Sequence, residues 1–230
     1  MIKMPDFALQ SSYDYETFFH LTLKVDRLAK LIAHYEIYKM VMDVPGAIVE
    51  CGVFKGTSFV RFAMFRELLG NYFSSKLIAF DVFSDQYPDT QFAEDKEYRD
   101  YWISTAGPSS IAPEQLEEVL KRQDIKNFEI VAGDVLETVP KYVKDHPGLK
   151  VSLLNVDIDF VEPTKCVLEH FWNRVMPGGI VLLDNYAGED AGGHSLHGDT
   201  KGVDDFFRDK DVIIQKFPFA SRPCYIIKDN

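Results

Sequence analysis

Acidic and amide side chains follow two apolar runs in the second half of the chain, within the segments V-D-I-D-F and L-L-D-N-Y. Asp157 and Asp159 come after the first run, and Asp184 and Asn185 come after the second. If the runs are neighbouring strands, about 4.8 Å apart, these side chains can converge on one point. Carboxylate and amide oxygens are hard ligands that suit Mg²⁺. The spacing therefore predicts a Mg²⁺ site at Asp157, Asp184 and Asn185, with Asp159 beside it as a general base.

A glycine-containing turn follows an earlier apolar run, in the segment V-E-C-G-V-F-K-G-T-S. Gly52 and Gly56 let the backbone turn sharply and approach a ligand, and the helix that starts at Thr57 directs free N–H groups toward negative charge. The turn lacks the glycine spacing of dinucleotide-binding proteins and of P-loops, which disfavours a nicotinamide-dependent dehydrogenase. Glu50, two residues before the first glycine, suits an ammonium group such as that of the methionine part of S-adenosylmethionine.

Two further acids follow the second and third apolar runs. Asp81 stands where a carboxylate can accept hydrogen bonds from ribose hydroxyls, and Asp134 stands where it can meet an adenine amino group. Together with the glycine turn they predict a pocket for an adenosyl cofactor. The residues assigned to this cofactor are Glu50, Gly52, Val53, Gly56, Thr57, Ser58, Asp81, Phe83, Gly133, Asp134, Val135 and Asp157.

Short apolar runs alternate with helical stretches from residue 47 onward. Strands that are apolar along their whole length are buried on both faces, which is typical of a parallel sheet in a doubly wound α/β fold. The short link at 218–223 favours an antiparallel pair at the end. We therefore predict a Rossmann-like class I methyltransferase fold, with a mostly parallel seven-stranded sheet and a C-terminal antiparallel hairpin. The predicted strands are 47–51, 77–83, 128–132, 151–156, 180–183, 211–217 and 224–228, and the predicted helices are 57–69, 113–122 and 163–175.

Residues 1–45 are predicted to form an N-terminal helical cap on a single methyltransferase domain that spans 1–230. Within the cap, 13–44 has the pattern of one long helix that ends before Pro45. Its predicted apolar face consists of Leu21, Val25, Leu28 and Ile32.

Two insertions interrupt the regular alternation, and both follow strands whose carboxyl ends should face the ligand. Residues 84–112 are rich in aromatic and acidic side chains, and 187–201 are rich in glycine and histidine. Long loops of this kind are commonly lids, so we predict that both cover the active site. His194 and His197 lie in the second insertion and are candidate catalytic residues, substrate contacts or metal ligands.

Composition bounds the class of partner. The chain has 230 residues, a formal net charge of −11 and a pI of about 5.0, and no basic cluster is visible, which argues against nucleic acid. No apolar run reaches the roughly 20 residues that span a bilayer, and residues 1–10 lack the apolar stretch of a signal peptide. Three cysteines without a C-x-x-C pair argue against a disulfide framework. We expect a cytoplasmic protein.

Taken together, the motifs resemble those of the macrocin O-methyltransferase (TylF-type) family, sugar O-methyltransferases of antibiotic biosynthesis that use S-adenosylmethionine and Mg²⁺. The resemblance covers roughly 46–207, through V-E-C-G-V-F-K-G-T-S, F-D-V-F, V-D-I-D-F, M-P-G-G-I-V-L-L-D-N-Y and V-D-D-F-F. It implies a metal site at Asp157, Asp184 and Asn185 and a general base at Asp159. The cofactor contacts that it implies are Glu50, Gly52, Thr57, Ser58, Asp81 and Asp134. It also implies a small-molecule hydroxyl acceptor, either a sugar or a glycosylated metabolite.

Alternatives stay open at this stage. The family usually shows D-G-D and D-D-Y where this chain has D-I-D and D-N-Y, and the Asp184-Asn185 pair is similar to that of catechol-type enzymes, which act on phenols. A D-x-D motif can also bind a metal and a nucleotide sugar in a glycosyltransferase, although the glycine turn is then unexplained. A non-catalytic adenosyl-binding protein is a further alternative. A second copy of the chain is a candidate partner, in a homo-oligomer.

Overall fold

A computed structural model describes residues 1–188 and 197–229 of the chain. The strands are β1 (Ala47–Cys51), β2 (Leu77–Asp81), β3 (Phe128–Ala132), β4 (Val151–Val156), β5 (Val175–Leu183), β6 (Gln215–Lys216) and β7 (Cys224–Ile227). The helices are α1 (Leu9–Thr22), α2 (Val25–Val41), α3 (Thr57–Leu69), α4 (Ala93–Ala106), α5 (Pro113–Arg122), α6 (Val135–Asp145), α7 (Val161–Phe171) and α8 (His197–Phe207), with a 3₁₀ helix at Trp172–Arg174.

One sheet contains these strands in the order β3-β2-β1-β4-β5-β7-β6. Strands β1 to β5 are parallel, β7 is antiparallel to β5, and β6 is antiparallel to β7. The predicted fold class, a mostly parallel sheet that ends in an antiparallel pair, is confirmed. The order reverses between β1 and β4, and the crevice above that point is where ligands bind in such sheets.

Helices cover both faces of the sheet. Val49 and Cys51 pack on one side with α6, α7 and α8, while Ile48 packs on the other side with α2, α3 and α5. Every residue of β1, β2 and β4 is buried. This explains why these strands are mainly apolar; their polar residues are Ser152 near the amino end of β4 and others near the carboxyl ends.

The predicted N-terminal helix is wrong in two respects. Two helices, α1 and α2, replace one, because the chain is extended at Leu23 and Lys24. The predicted apolar face is also the outward face, since Leu21 is 76% exposed and Val25 is 82% exposed. The face of α2 that packs on the sheet instead consists of Lys30, Ala33, His34, Ile37, Tyr38 and Val41. It was missed because two of its members are ionisable and face acids on the sheet.

Other boundaries also differ from the prediction. Helix α7 ends at Phe171, and β5 starts at Val175 rather than at residue 180, because Val175 pairs with Val151. The predicted strand 211–217 shortens to Gln215–Lys216. Helices α4, α6 and α8 were not predicted. Part of the predicted second lid is helical, since α8 begins at His197, and residues 189–196 of that lid lie outside the described residues.

The single domain, its cap and its two lids stay predictions. Within the described part of the chain, the structure contains no helix that is long and apolar enough to cross a membrane.

Candidate active site

A cavity of about 610 Å³ lies at the carboxyl edge of β1, β2, β4 and β5. Its wall includes residues of α2 and of the insertion at 84–112. Eight of the twelve residues predicted to bind the cofactor line it, namely Gly52, Val53, Thr57, Ser58, Asp81, Asp134, Val135 and Asp157. The other four, Glu50, Gly56, Phe83 and Gly133, are not among its lining residues. The candidate base Asp159 and the candidate metal ligands Asp184 and Asn185 line the same cavity.

The turn after β1 requires glycine at Gly52. Its φ is +91°, and a Cβ atom there would lie 1.7 Å from the carbonyl oxygen of Asp157. The backbones that leave β1 and β4 therefore touch at this point, which no other residue type permits. Gly56, also with positive φ, starts α3 but faces Ile111 and Leu116 rather than the cavity. Gly56 therefore packs against these side chains, and its predicted contact with the cofactor stays a prediction.

Glu50 is fully buried at the end of β1. Its carboxylate accepts hydrogen bonds from the Ser58 hydroxyl at 2.7 Å and from the Asn155 amide at 3.1 Å. Burial raises the pKa of Glu50 to about 7, although both hydrogen bonds oppose the shift. The residue thus lies just beneath the cavity wall, with a proton equilibrium near neutral pH.

Asp81 and Asp134 have structural partners of their own. The Asp81 carboxylate accepts from the backbone N–H groups of Val53 and Phe54, at 2.7 and 2.8 Å, and from that of Phe83. Asp134 caps α6 by accepting from the N–H of Leu136. Both acids hold the loops that shape the cavity, and their contacts with ribose and adenine stay predictions.

The predicted meeting of acids at the ends of β4 and β5 takes place around a lysine. The Lys30 ammonium lies 2.5 Å from Asp184 Oδ2 and 3.7 Å from Asp157 Oδ2. Lys30 is 8% exposed and Asp184 is 1% exposed. Burial alone would raise the pKa of Asp184, but the charge of Lys30 and a contact with His34 hold it well below its usual range. A buried ion pair therefore joins α2 to the sheet edge.

Asn185 and Tyr87 fix the orientation of Asp159. The Asn185 amide donates to Asp159 Oδ1 at 2.7 Å and to Asp157 Oδ1 at 3.2 Å, while its oxygen accepts from Arg222 at 2.5 Å. The Tyr87 hydroxyl, from the aromatic insertion, donates to Asp159 Oδ2 at 2.5 Å. Burial, and then the nearby charge of Asp184, raise the pKa of Asp159.

A fourth acid, Asp199 of α8, completes the group. Its Oδ1 accepts from the Thr164 hydroxyl at 2.9 Å, and burial together with the charge of Asp159 raises its pKa to about 8. Helix α8 packs directly on the loop that follows β4, since a Cβ atom on Gly198 would lie 1.9 Å from the Asp159 carbonyl oxygen. His194 lies outside the described residues, and of His197 only the backbone is described, so neither predicted role is tested.

The donor chemistry of this group suits a divalent cation. Asp157, Asp184 and Asn185 are neighbours, as predicted, and the buried Asp184 Oδ1 accepts no hydrogen bond from the described residues. No set of three His, Cys, Asp or Glu side chains within 1–188 and 197–229 is arranged around a common metal position. The Lys30 ammonium lies between the two carboxylates, so a bound Mg²⁺ would compete with Lys30.

Sequence reasoning missed several residues of the site. Lys30 and His34, spaced by four on α2, lie on one helical face with Ile37 and Val41, and this pattern could have marked them. Tyr87 was noted only as part of an aromatic insertion. Asp199 lies within the predicted lid 187–201 but was not singled out, and Arg222 lies in the link 218–223, which carried no signal of a site.

The known proteins that this chain resembles are methyltransferases. The family model for macrocin O-methyltransferase (TylF) matches residues 11–207. A relative from Streptomyces olivaceus, 8-demethyl-8-(2,3-dimethoxy-alpha-L-rhamnosyl)-tetracenomycin-C 4'-O-methyltransferase, is 26% identical over 181 residues. That match covers 76% of this chain and 65% of the relative, so the chain spans just under two thirds of the relative's length.

Solved structures with the same fold include CalS11, a calicheamicin methyltransferase, with a TM-score of 0.73, 24% identity and coverage of 96% of this chain and 87% of that one. The O-methyltransferase NovP has a TM-score of 0.69 at 18% identity, with coverage of 87% and 80%. An O-methyltransferase from Bacillus cereus in complex with SAH has a TM-score of 0.55 at 13% identity, with coverage of 99% and 94%. Because the family model matches most of its length, the chain belongs to the macrocin O-methyltransferase family, whose members are S-adenosylmethionine-dependent O-methyltransferases.

Proposed function

We propose that this protein transfers a methyl group from S-adenosylmethionine to a hydroxyl of a sugar or of a small glycosylated natural product. One observation carries the proposal: a single cavity joins the glycine turn of β1 to Asp159, a half-buried carboxylate held in place by two hydrogen bonds. The acceptor class is supported by the names of similar proteins, which include a rhamnosyl 4'-O-methyltransferase and a TDP-rhamnose 3'-O-methyltransferase.

In the proposed reaction the acceptor oxygen attacks the methyl carbon, the S–CH₃ bond breaks as the O–CH₃ bond forms, and the hydroxyl proton passes to Asp159. The sulfonium loses its positive charge in this step. Methyl transfer needs little covalent chemistry from the protein, so alignment of the two reactants can contribute on the order of 7–11 kcal/mol. Asp159 serves as the base, and Tyr87 and Asn185 hold its carboxylate toward the cavity.

A dependence on Mg²⁺ is part of the proposal. Asp157, Asp184 and Asn185 would hold the ion, and when bound it would lower the pKa of the acceptor hydroxyl. Support comes from the donor set and from the hydrogen-bond vacancy on Asp184 Oδ1. A direct test is binding of Mn²⁺ as a probe ion, measured by water-proton relaxation. We expect Asp157→Asn to weaken it at least tenfold, and equal binding by the variant would exclude this site.

A phenolic acceptor is a second candidate, because aromatic rings of the insertion line the cavity. Tyr98 and Trp102 stack with ring centroids 6.3 Å apart, and Phe54 lies 6.0 Å from Trp102. A flat acceptor could pack against such rings. A cytoplasmic location and the oligomeric state remain sequence-based expectations.

The proposed function is tested by thermal shift with S-adenosylmethionine, S-adenosylhomocysteine, NAD and a nucleotide sugar, each with and without Mg²⁺. A ligand at about 100 times its Kd adds ~2.7 kcal/mol, which is roughly 5–10 °C for this size. We expect shifts with the two adenosyl compounds. A shift only with the nucleotide sugar and metal would favour a glycosyltransferase and contradict the proposal. Transfer of labelled methyl to nucleotide sugars, glycosides and catechols then identifies the acceptor.

A further inference from the structure

The cavity wall carries basic side chains although the chain as a whole is acidic. Five of them line the cavity, namely Arg27, Lys30, Lys55, Arg61 and Arg222. Three have an oxygen partner: Lys30 on Asp184, Arg222 on the Asn185 amide oxygen and Lys55 on the Ala106 carbonyl. Arg27 and Arg61 have no acidic partner in the part of the chain that the structure describes.

Arg61, in the second turn of α3, is half-buried, and the His34 ring is its one hydrogen-bond partner among the described residues. Its guanidinium lies 3.2 Å from His34 Nδ1. Since a guanidinium can only donate, Nδ1 must accept, and the ring proton is then on Nε2, which faces Asp184 Oδ1 at 3.5 Å. An imidazole whose Nδ1 accepts a hydrogen bond carries a single ring proton, so the ring is uncharged. The charge of Arg61 is therefore not compensated by its nearest neighbour.

Arg27 adds a second positive charge nearby. Burial lowers the pKa of Arg61, and the charge of Arg27 lowers it further. Arg27 lies one helical turn before Lys30, at the end of α2 that opens onto the cavity. Two guanidinium groups that repel each other beside an open cavity form the kind of site that a carboxylate or phosphate stabilises.

We propose that Arg27 and Arg61 bind an oxyanion, a carboxylate or phosphate, of a ligand held in this cavity. The inference rests on the proposed function and deepens it. The negative charges of Asp184 and of Glu50, which lies just beneath the cavity wall, both act on Arg61, so acids and a base lie near one another as an α-amino acid group requires. The methionine carboxylate of the cofactor is one source of the oxyanion, and a phosphate of the acceptor is the other.

Calorimetric titration of the full chain with three probes separates the two sources. S-adenosylhomocysteine carries the carboxylate, 5'-methylthioadenosine has the same adenosyl thioether without the amino acid, and inorganic pyrophosphate represents a nucleotide sugar. The variants are Arg61→Gln and Arg27→Gln, and Arg61→Lys is the conservative change. Arg27 is exposed, so its substitution should not disturb folding. Lys55→Gln is the matched control, because Lys55 lines the same cavity but is already partnered.

If the oxyanion is the cofactor carboxylate, Arg61→Gln weakens S-adenosylhomocysteine roughly 10- to 100-fold and leaves methylthioadenosine unchanged. If it is an acceptor phosphate, only pyrophosphate binding weakens. In either case Arg27→Gln has an effect of the same kind, Arg61→Lys retains part of the affinity, and Lys55→Gln matches the wild type.

Unchanged affinity for all three probes, or equal losses for S-adenosylhomocysteine and methylthioadenosine, would overturn the inference. Should Arg61→Gln fail to fold, Arg27→Gln decides by the same criteria. Failure of the wild type to bind either adenosyl compound would instead contradict the proposed function, so the two failures are distinguishable.

Discussion

The carboxyl edge of the sheet has two halves that hold their acids in different ways. In the cofactor half, at the ends of β1 and β2 and after β3, Glu50, Asp81 and Asp134 are separated from one another. Each accepts hydrogen bonds from neutral donors, either backbone N–H groups or side chains. These acids are thereby part of the loops that give the cavity its shape.

The acidic half, at the ends of β4 and β5, is crowded. Asp157, Asp159 and Asp184, together with Asp199 of α8, lie around two cations, Lys30 and Arg222. Burial, and then the charge of the neighbouring Asp184, raise the pKa values of both Asp157 and Asp159. The comparison teaches that one half is fixed by local hydrogen bonds, whereas the other depends on cations supplied by distant parts of the chain.

The largest effect is expected on kcat, from a substitution in the acidic half. Asp159→Asn should lower kcat about 10²- to 10⁴-fold, because it removes the proton acceptor, while the affinity for S-adenosylhomocysteine stays within about twofold. Asp134→Asn, in the cofactor half, is the matched control and should weaken cofactor binding with little change in kcat, since Asn still caps α6. Steady-state kinetics and calorimetry measure both. Retention of most activity by Asp159→Asn would contradict its role as base.

The next prediction concerns the cation on which the acidic half depends. Lys30→Met should lower the free energy of unfolding by about 3–5 kcal/mol, because it leaves buried carboxylates without their partner. Lys39→Met, on the same helix, removes the exposed pair with Glu36 and the contact of the Lys39 ammonium with the Tyr35 ring, and it should destabilise the protein far less than Lys30→Met. Urea denaturation gives both values. Equal, small losses would show that the buried pair is not needed for stability.

A third prediction uses pH to test the cofactor half. The folded pKa of Glu50, about 7, lies above its ordinary value of 4.5, so the folded state holds the proton more tightly. Stability should therefore fall as pH rises from about 4.5 to about 7, by up to about 3 kcal/mol, and then level off. Glu50→Gln should remove this slope.

The control for the pH series is Glu129→Gln. Lys76 and Tyr142 hold the pKa of Glu129 below its ordinary value, against the effect of burial, so this acid contributes stability that is lost as pH falls. Glu129→Gln should therefore make the free energy of unfolding fall less, relative to the wild type, as the pH is lowered. Thermal unfolding between pH 4 and 8 provides the measurement, and an unchanged slope in Glu50→Gln would show that another group is responsible.

The smallest effect is expected from the aromatic insertion. Tyr87→Phe removes one hydrogen bond to Asp159 and should lower kcat about fivefold, with a loss of only about 1 kcal/mol in the free energy of unfolding. Tyr186→Phe removes a comparable bond to the exposed Asp204 and should leave kcat unchanged. If both variants behave alike, Tyr87 does not position the base.

Much of the fold could be predicted because its signals are local. Strands β1, β3 and β4 match their predicted limits, since each is a short, mainly apolar run that stands between helical stretches. Gly52 was singled out as a close approach of the backbone, and the Asp157 carbonyl stands where a side chain would be.

The orientation of α2 was predicted wrongly for a physical reason. Periodicity finds the most apolar face, but the buried face of this helix carries Lys30 and His34. Those residues are buried because Asp184, more than 150 positions away, compensates the charge of Lys30. No window of sequence contains both members of such a pair.

The sequence by itself determined the class of sheet, mostly parallel with an antiparallel pair at the end. It also determined the glycine turn and the set of acids at the sheet edge, because each of these depends on neighbours along the chain. Only the tertiary structure decided which cations meet those acids, since Lys30, Arg61 and Arg222 come from separate elements. The charge balance of a buried site depends on every group within a few ångströms, and distance in space is not written in local sequence.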